Sequence, residues 1–321
     1  MNRFQTTVAA ITVIILLAIG GWVLFKPDDE KSVTIAQPVE FFLYMPLYFA
    51  KDEGYFERSG ITVDFLNTGG DDKSFAAVVS GAAQFGVGDP SFTAIAAQEG
   101  KRGFVVGGIV NGVPFWGVAK DPSVPVITRP EQLDGYRVAT FPSPSTAYVL
   151  QEAMFKSGGI EPNIQEAAFG GLLPLLEART VDIALELEPN VSTAVNSGAR
   201  VVYGMPQIYG DFAITGITVT EEYFNDNGEM IRKLLTALNS AMEDMHADAG
   251  RLKQYAIRRF PNLEPTVVEK AIDRLLATET LPRSTSVTDA AWRKALELRE
   301  QVGQLSDVEI SMSLLKQPLN P

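Results

Sequence analysis

The stretch YMPLYFAKDEGYFERSGITVDF, Tyr44 to Phe65, decides the fold. Pro46 suits the first position of a helix, where its missing N–H is no loss, and the helix runs to Glu53 before Gly54 supplies a left-handed stop. Gly60 breaks the chain again. Ile61, Val63 and Phe65 then alternate with Thr62 and Asp64, the period of a strand with one buried face. Upstream, Ser32 to Ala36 alternates in the same way. Strand, helix and strand in succession make the opening unit of a parallel sheet.

The pattern continues with variation. A helix led by Asp71 runs to about Ala83, Phe85 to Val87 is a short strand, Asp89 and Pro90 open another helix, and Phe104 to Val110 is a glycine-rich strand. Helices alternating with short apolar strands predict a mostly parallel sheet covered on both faces. Pro114 to Ala119 makes a further strand, and the proline-rich DPSVPVITRPEQL feeds Asp134-Gly135 and the strand Tyr136 to Ala139, where a second α/β lobe begins. That lobe continues through a helix after Pro144, the glycine pairs Gly158-Gly159 and Gly170-Gly171, the helix Leu172 to Arg179 and the strand Val181 to Leu187. Tyr203 to Asp211 reads as a return crossing and Phe212 to Val219 as a strand. The remainder is helical, with Ile231, Leu234, Leu235, Leu238 and Met242 marking one apolar face.

Composition narrows the chemistry. With 321 residues and 46% hydrophobic content the chain can build two lobes with real cores, and a net charge of −12 offers no stripe for nucleic acid. Cysteine is absent and histidine occurs once, at His246. Thiol nucleophiles, disulfides, cysteine–histidine zinc sites and most histidine acid–base chemistry are therefore excluded, and neither an enzyme, a metal nor a cofactor is expected. His246, beside acidic residues near a helix end, reads as solvated or as a C-cap. At the front, Arg3 precedes an uncharged run from Val8 to Phe25, followed by Lys26 and an acidic spacer. Residues 1–31 thus read as a signal peptide or an N-terminal membrane anchor with its spacer, which places the rest outside the cytoplasm.

In open α/β sheets ligands are met by loops at the carboxyl ends of strands. Those loops nominate Tyr44, Asp71, Asp89, Trp116, Ser143, Ser145, Thr146, Gly170, Glu186, Glu188 and Tyr209 as ligand-binding residues. Ser143 can cap a helix that has Pro144 at its first position, leaving Ser145, Thr146 and free backbone N–H groups toward a polar or anionic group, or simply an ordinary capped helix. Asp71 and Asp89 are each placed either to cap a helix or to accept from a ligand. Tyr44 and Trp116 can stack on a planar ligand or fill the seam between lobes. Glu186 and Glu188 share a strand face, which favours a cationic or donating partner, from a ligand or from the other lobe, or full hydration. Among these loops only Lys73 is cationic.

The blocks PLYFAK (Pro46 to Lys51), GYF (Gly54 to Phe56), GITV (Gly60 to Val63), VSGAAQFGVG (Val79 to Gly88) and RPEQLDGYRVA, with Gly171 to Pro189, resemble the substrate-binding proteins of ABC importers. The similarity is to the group that includes nitrate, alkanesulfonate, taurine and thiamine-pyrimidine-precursor binders, and it extends over most of the chain beyond the hydrophobic segment. It implies a type II, two-lobed periplasmic-binding-protein-like α/β fold, a small molecule clamped between the lobes, and delivery to the permease subunits of a transporter. On that basis residues 32–118 and 212–321 form the first lobe and 119–211 the second. The rings and carboxylates of the loops favour a planar heterocycle, a pyrimidine thiamine precursor or a flavin. A binder of alkanesulfonate, taurine or nitrate, a sensor or adaptor that binds a solute without transporting it, and an enzyme on the same fold are the alternatives. QPVEFFLYM lacks the asparagine and histidine usual after the first strand in the thiamine-precursor binders.

Overall fold

A computed structural model describes residues 31–317. The hydrophobic run at residues 8–25, read above as a signal or anchor, lies outside the described residues, and no helix among those described is long and apolar enough to cross a membrane.

The first run comprises β1 (Lys31–Gln37), a 3-10 turn (Phe42–Tyr44), α1 (Met45–Asp52), α2 (Tyr55–Arg58), β2 (Ile61–Asn67), α3 (Asp71–Val79), β3 (Phe85–Gly88), α4 (Ser91–Gln98) and β4 (Gly103–Val110). The chain then crosses to β5 (Trp116–Ala119), β6 (Val138–Thr140), α5 (Thr146–Ser157), β7 (Ile164–Glu166), α6 (Leu172–Glu177), β8 (Ile183–Glu186), α7 (Asn190–Asn196), β9 (Arg200–Gly204) and α8 (Met205–Tyr209). It returns with β10 (Thr215–Thr220) and ends in α9 (Glu221–Asp226), α10 (Gly228–Ala247), α11 (Ala249–Arg259), α12 (Pro265–Ala277), α13 (Asp289–Gln301) and α14 (Val308–Met312).

These strands form two five-stranded sheets, ordered β2-β1-β3-β10-β4 and β7-β6-β8-β5-β9. β1 runs parallel to β2 and β3, and β6 runs parallel to β7 and β8. In each sheet the antiparallel strand is the one that directly follows a crossing: β10 in the first, β5 in the second. The sequence reading placed the strand before Val118 in the first lobe. The structure corrects this, because β5 bonds to β8 and β9, so the crossing falls at 111–115. Alternation identifies a strand but not the sheet it joins. The two crossings run side by side: the Gly112 N–H donates to the Phe212 carbonyl at 3.0 Å and the Met205 N–H to that of Phe115 at 2.9 Å.

The opening stretch is core. Leu47, Phe49, Phe56, Ile61 and Val63 are wholly buried, and Gly54 adopts φ +75°, the left-handed turn expected of it. The Phe49 ring meets Tyr255 of α11 edge-on at 5.1 Å, which fixes α1 beneath the C-terminal helices. On α10 the face Ile231, Leu234, Leu235, Leu238 and Met242 is buried as the periodicity requires. His246 is half-buried and pairs with the Leu281 carbonyl at 2.9 Å, so it ties α10 to the segment after α12 rather than standing in solvent. The chain end adds to the β4 edge, where the Val105 N–H donates to the Leu314 carbonyl and the Lys316 N–H to that of Val105.

Candidate ligand-binding site

Between the lobes lies a cavity of about 330 Å³. The first lobe contributes Phe41, Leu43, Tyr44, Asp71, Asp89, Ile214 and Thr215. The second contributes Phe115, Phe141, Pro142, Ser145, Thr146, Ala147, Ala168, Phe169 and Leu187, and Pro114 lies at the crossing.

Five rings form a continuous wall. Phe41 meets Tyr44 edge-on at 5.2 Å and Phe169 of the opposite lobe at 4.9 Å; Phe169 stacks on Phe141 at 5.1 Å, and Phe141 lies 6.2 Å from Phe115. Phe169 is 53% exposed, so this ring sits at the rim. It precedes Gly170, whose φ of +82° turns the loop away.

The polar end is built around Asp71 and Asp89. Asp71 is the first residue of α3, with Gly70 at the cap position, so its carboxylate is not used as a helix cap. Instead Asp71 Oδ1 accepts the Asp89 N–H at 3.1 Å. Burial first, and the neighbouring Asp89 charge second, push the Asp71 carboxyl up to about 6. Asp89 does brace a helix start, its Oδ1 accepting the Ser91 N–H at 2.9 Å. Burial would raise its pKa too, but the Arg299 guanidinium with the Ser91 and Thr146 hydroxyls outweighs burial and holds it below the usual carboxylate range. Burial, then the Asp71 charge, lifts the Tyr44 phenol far up, so it stays a neutral hydroxyl.

Arg299 is the functional residue that loop-by-loop reasoning missed. It comes from α13, is 1% exposed, and donates to Asp89 Oδ2 at 2.6 Å. A signal was present in the sequence: Arg299 continues the apolar spacing Trp292, Ala295, Leu296, which puts a charge on the buried face of an amphipathic helix.

At α5 the cap is Ser145, whose Oγ accepts the Tyr148 N–H at 3.3 Å. The expected cap, Ser143, is exposed, and its N–H donates to Glu166 at 2.9 Å. The helix starts two residues later than the serine-proline signal suggests. Thr146 and Ala147, its first residues, line the cavity, and their N–H groups precede the point where a helix can use its own carbonyls.

Of the residues nominated from sequence, the structure gathers Tyr44, Asp71, Asp89, Ser145 and Thr146 on the cavity wall and places Ser143, Gly170, Trp116, Glu186, Glu188 and Tyr209 elsewhere. Trp116 is buried on β5 between Glu186 and Gly204, with the Arg274 guanidinium 5.9 Å from its ring. Glu186 is buried and accepts from Asn190 Nδ2 at 3.1 Å; burial pushes it up to about 7 against the opposing Asn190 and Leu187 hydrogen bonds. Glu188 meets the cationic partner its surroundings demanded: Arg274 of α12 bonds to it, and Ser192 donates both its N–H and its hydroxyl. The Tyr209 hydroxyl donates to the Leu150 carbonyl at 2.9 Å.

Two α/β lobes, two adjacent crossings and a cavity closed by both lobes define a periplasmic-binding-protein-like fold. Solved structures with this architecture include the periplasmic aliphatic sulphonate binding protein SsuA of Escherichia coli (TM-score 0.72, 16% identity, 91% of this chain and 94% of that one). The alkanesulfonate-binding protein SsuA of Xanthomonas axonopodis pv. citri, bound to MOPS, matches at TM-score 0.68 and 15% identity, covering 89% and 98% of the two chains. The periplasmic nitrate-binding protein NrtA of Synechocystis PCC 6803 matches at 0.68 and 14%, covering 89% and 86%. In sequence, YtlA of Bacillus subtilis (strain 168) is 21% identical over 320 residues, which span 95% of this chain and 93% of that protein. The NMT1/THI5-like family model matches residues 42–250, and the chain belongs to that family. It is an extracytoplasmic solute-binding protein of the ABC-importer type.

Proposed function

We propose that this solute-binding protein takes a small organic sulfonate that also carries an amino group or a ring nitrogen, and hands it to the permease of an ABC importer. The observation that carries this reading is one polar corner of an aromatic-walled cavity that offers both helix N–H donors and a surplus carboxylate charge. There the first turn of α5 presents the Thr146 and Ala147 N–H groups, a setting that favours an anion. Beside it, with the Thr146 hydroxyl bonded to both Asp89 and Arg299, Asp71, Asp89 and Arg299 together leave one net negative charge above about pH 6, which a protonated amine neutralises. Phe41, Phe115, Phe141 and Phe169 suit the apolar or ring portion beyond that corner. Fold similarity to sulfonate-binding proteins, one of them holding MOPS, supports the same choice.

A planar heterocycle, a pyrimidine thiamine precursor or a flavin, remains the second reading, favoured by the five-ring wall and Asp71 as an acceptor for an amino group. Nitrate leaves the rings without a partner. The hydrophobic run at residues 8–25 supports attachment of the full chain to the membrane, close to that permease.

Isothermal titration calorimetry of the full chain in mild detergent, against taurine, MOPS, ethanesulfonate, nitrate, an aminopyrimidine and riboflavin, tests the assignment. Taurine and MOPS are expected to bind more tightly than ethanesulfonate and nitrate. Binding confined to the aminopyrimidine or riboflavin overturns it.

A further inference from the structure

We propose that Arg299 is a positioning residue that latches the two lobes together behind the ligand cavity, with Thr146 as its catch. A guanidinium has five N–H donors, and here each finds an acceptor. Three stay within the first lobe: Nε reaches Ser91 Oγ at 2.9 Å, Nη1 reaches Gln304 Oε1 at 2.8 Å and Nη2 reaches Asp89 Oδ2 at 2.6 Å. Two cross to the second lobe, Nη1 to the Pro144 carbonyl at 3.0 Å and Nη2 to Thr146 Oγ1 at 2.9 Å. The Thr146 hydroxyl in turn donates to Asp89. One hydroxyl of the second lobe is thus inserted into a buried ion pair of the first, accepting from its cation and donating to its anion.

Burial makes this junction sensitive to separation. Arg299 is 1% exposed and the Asp89 side chain 8% exposed, so the pair sits where charge-assisted hydrogen bonds are strong and unmade ones costly. The lobe-1 contacts to Ser91, Gln304 and Asp89 keep the guanidinium in place whether or not the second lobe is docked. Of the Arg299 bonds, separation removes only those to Thr146 and Pro144, together with the Thr146 bond to Asp89. A second arginine bridge also spans the lobes, from Arg274 to Glu188 and Ser192, but neither acceptor lines the cavity. Asp89 and Thr146 both do, so a solute touching either one acts directly on the latch.

The latch is independent of the ligand assignment, and its test needs no ligand. Because the chain has no cysteine, cysteines placed at the exposed Lys101 of the first lobe and Lys156 of the second take a donor and an acceptor dye uniquely. Single-molecule energy transfer on the full chain in mild detergent, with no solute added, then reads the ratio of short to long interlobe distances. Thr146→Val removes the catch at nearly constant volume and leaves the ion pair paired. It is expected to lower the closed-to-open ratio about tenfold or more, the worth of a hydrogen bond to a charged group. Thr146→Ser restores the hydroxyl and is expected to stay within about twofold of the parent. The proposal is overturned if Thr146→Val leaves the ratio unchanged, if Thr146→Ser shifts it as far as valine does, or if the parent shows no short-distance population.

Discussion

Replacing Asp71 with Asn isolates the electrostatic tension in the cavity. Burial and the Asp89 charge lift the Asp71 carboxyl from 3.8 to about 6, so between those pH values the folded chain holds a proton that the unfolded chain has released. The sign follows from linkage. A carboxyl with a raised folded pKa leaves stability intact below about pH 4 and erodes it as the pH climbs through 6. A rise of about 2 pH units corresponds to ~3 kcal/mol at pH 7 and above. Asp71 keeps part of its surface in water, and screening brings the expected figure to about 2 kcal/mol. Asn keeps the Oδ1 acceptor for the Asp89 N–H and deletes the charge. Urea titrations of parent and Asp71→Asn at pH 4, 6 and 8 should therefore show equal stability at pH 4 and a gain of about 2 kcal/mol for the variant at pH 8, with the slope unchanged. A difference that is the same at all three pH values, or a variant less stable than the parent at pH 8, refutes the reasoning. Binding should move the other way: the stabilised variant is expected to lose affinity for taurine, because the charge that strains the empty fold is the one proposed to meet the amine.

Glu186 lies deeper and has one carboxylate oxygen, Oε1, without a hydrogen-bond partner. With its pKa pushed from 4.5 to about 7, Glu186→Gln should leave stability unchanged near pH 4 and raise it by about 2–3 kcal/mol at pH 8.5, measured by the same urea titrations; a loss at pH 8.5 contradicts this. Gly117→Ala sets a Cβ 2.2 Å from Tyr203 Cε1, and the buried Tyr203 is pinned by its hydrogen bond to Gln151 at 2.7 Å. A loss of ~2 kcal/mol or more in urea is expected, and a neutral result would mean the sheet yields. Phe169→Ala at the exposed rim should change stability by less than about 0.5 kcal/mol while weakening the binding of MOPS in calorimetry, and unchanged affinity would remove Phe169 from the proposed site.

What was legible in the sequence divides by the kind of force involved. Leu47, Phe49, Phe56, Ile61 and Val63 repeat at helix and strand periods because burial selects them one element at a time, so both lobes could be read locally. The allocation of β5 could not, since pairing with β8 and β9 depends on where the chain travels after Ala119. The same limit governed the carboxylates. Asp71 and Asp89 read equally as helix caps or ligand acceptors, and Glu186 and Glu188 as a like-charged pair, yet distant helices separate their roles: α13 sends Arg299 to Asp89, α12 sends Arg274 to Glu188, and among the described residues no cation reaches Glu186.

That division also explains why the family is easier to recognise than the solute. The residues that specify the fold answer to a general demand, removal of apolar surface from water, which many sequences meet with the same spacing. The cavity answers to one ligand, through single side chains from loops that converge only after folding. Asp89 shows the difference most clearly. Its 18-residue separation from Asp71 and its 210-residue separation from Arg299 carry no pattern, yet those two neighbours determine that Asp89 is ionised and Asp71 is the group able to change charge near pH 6. The carboxylate left to meet a solute is therefore Asp71, selected by an arginine that never touches it.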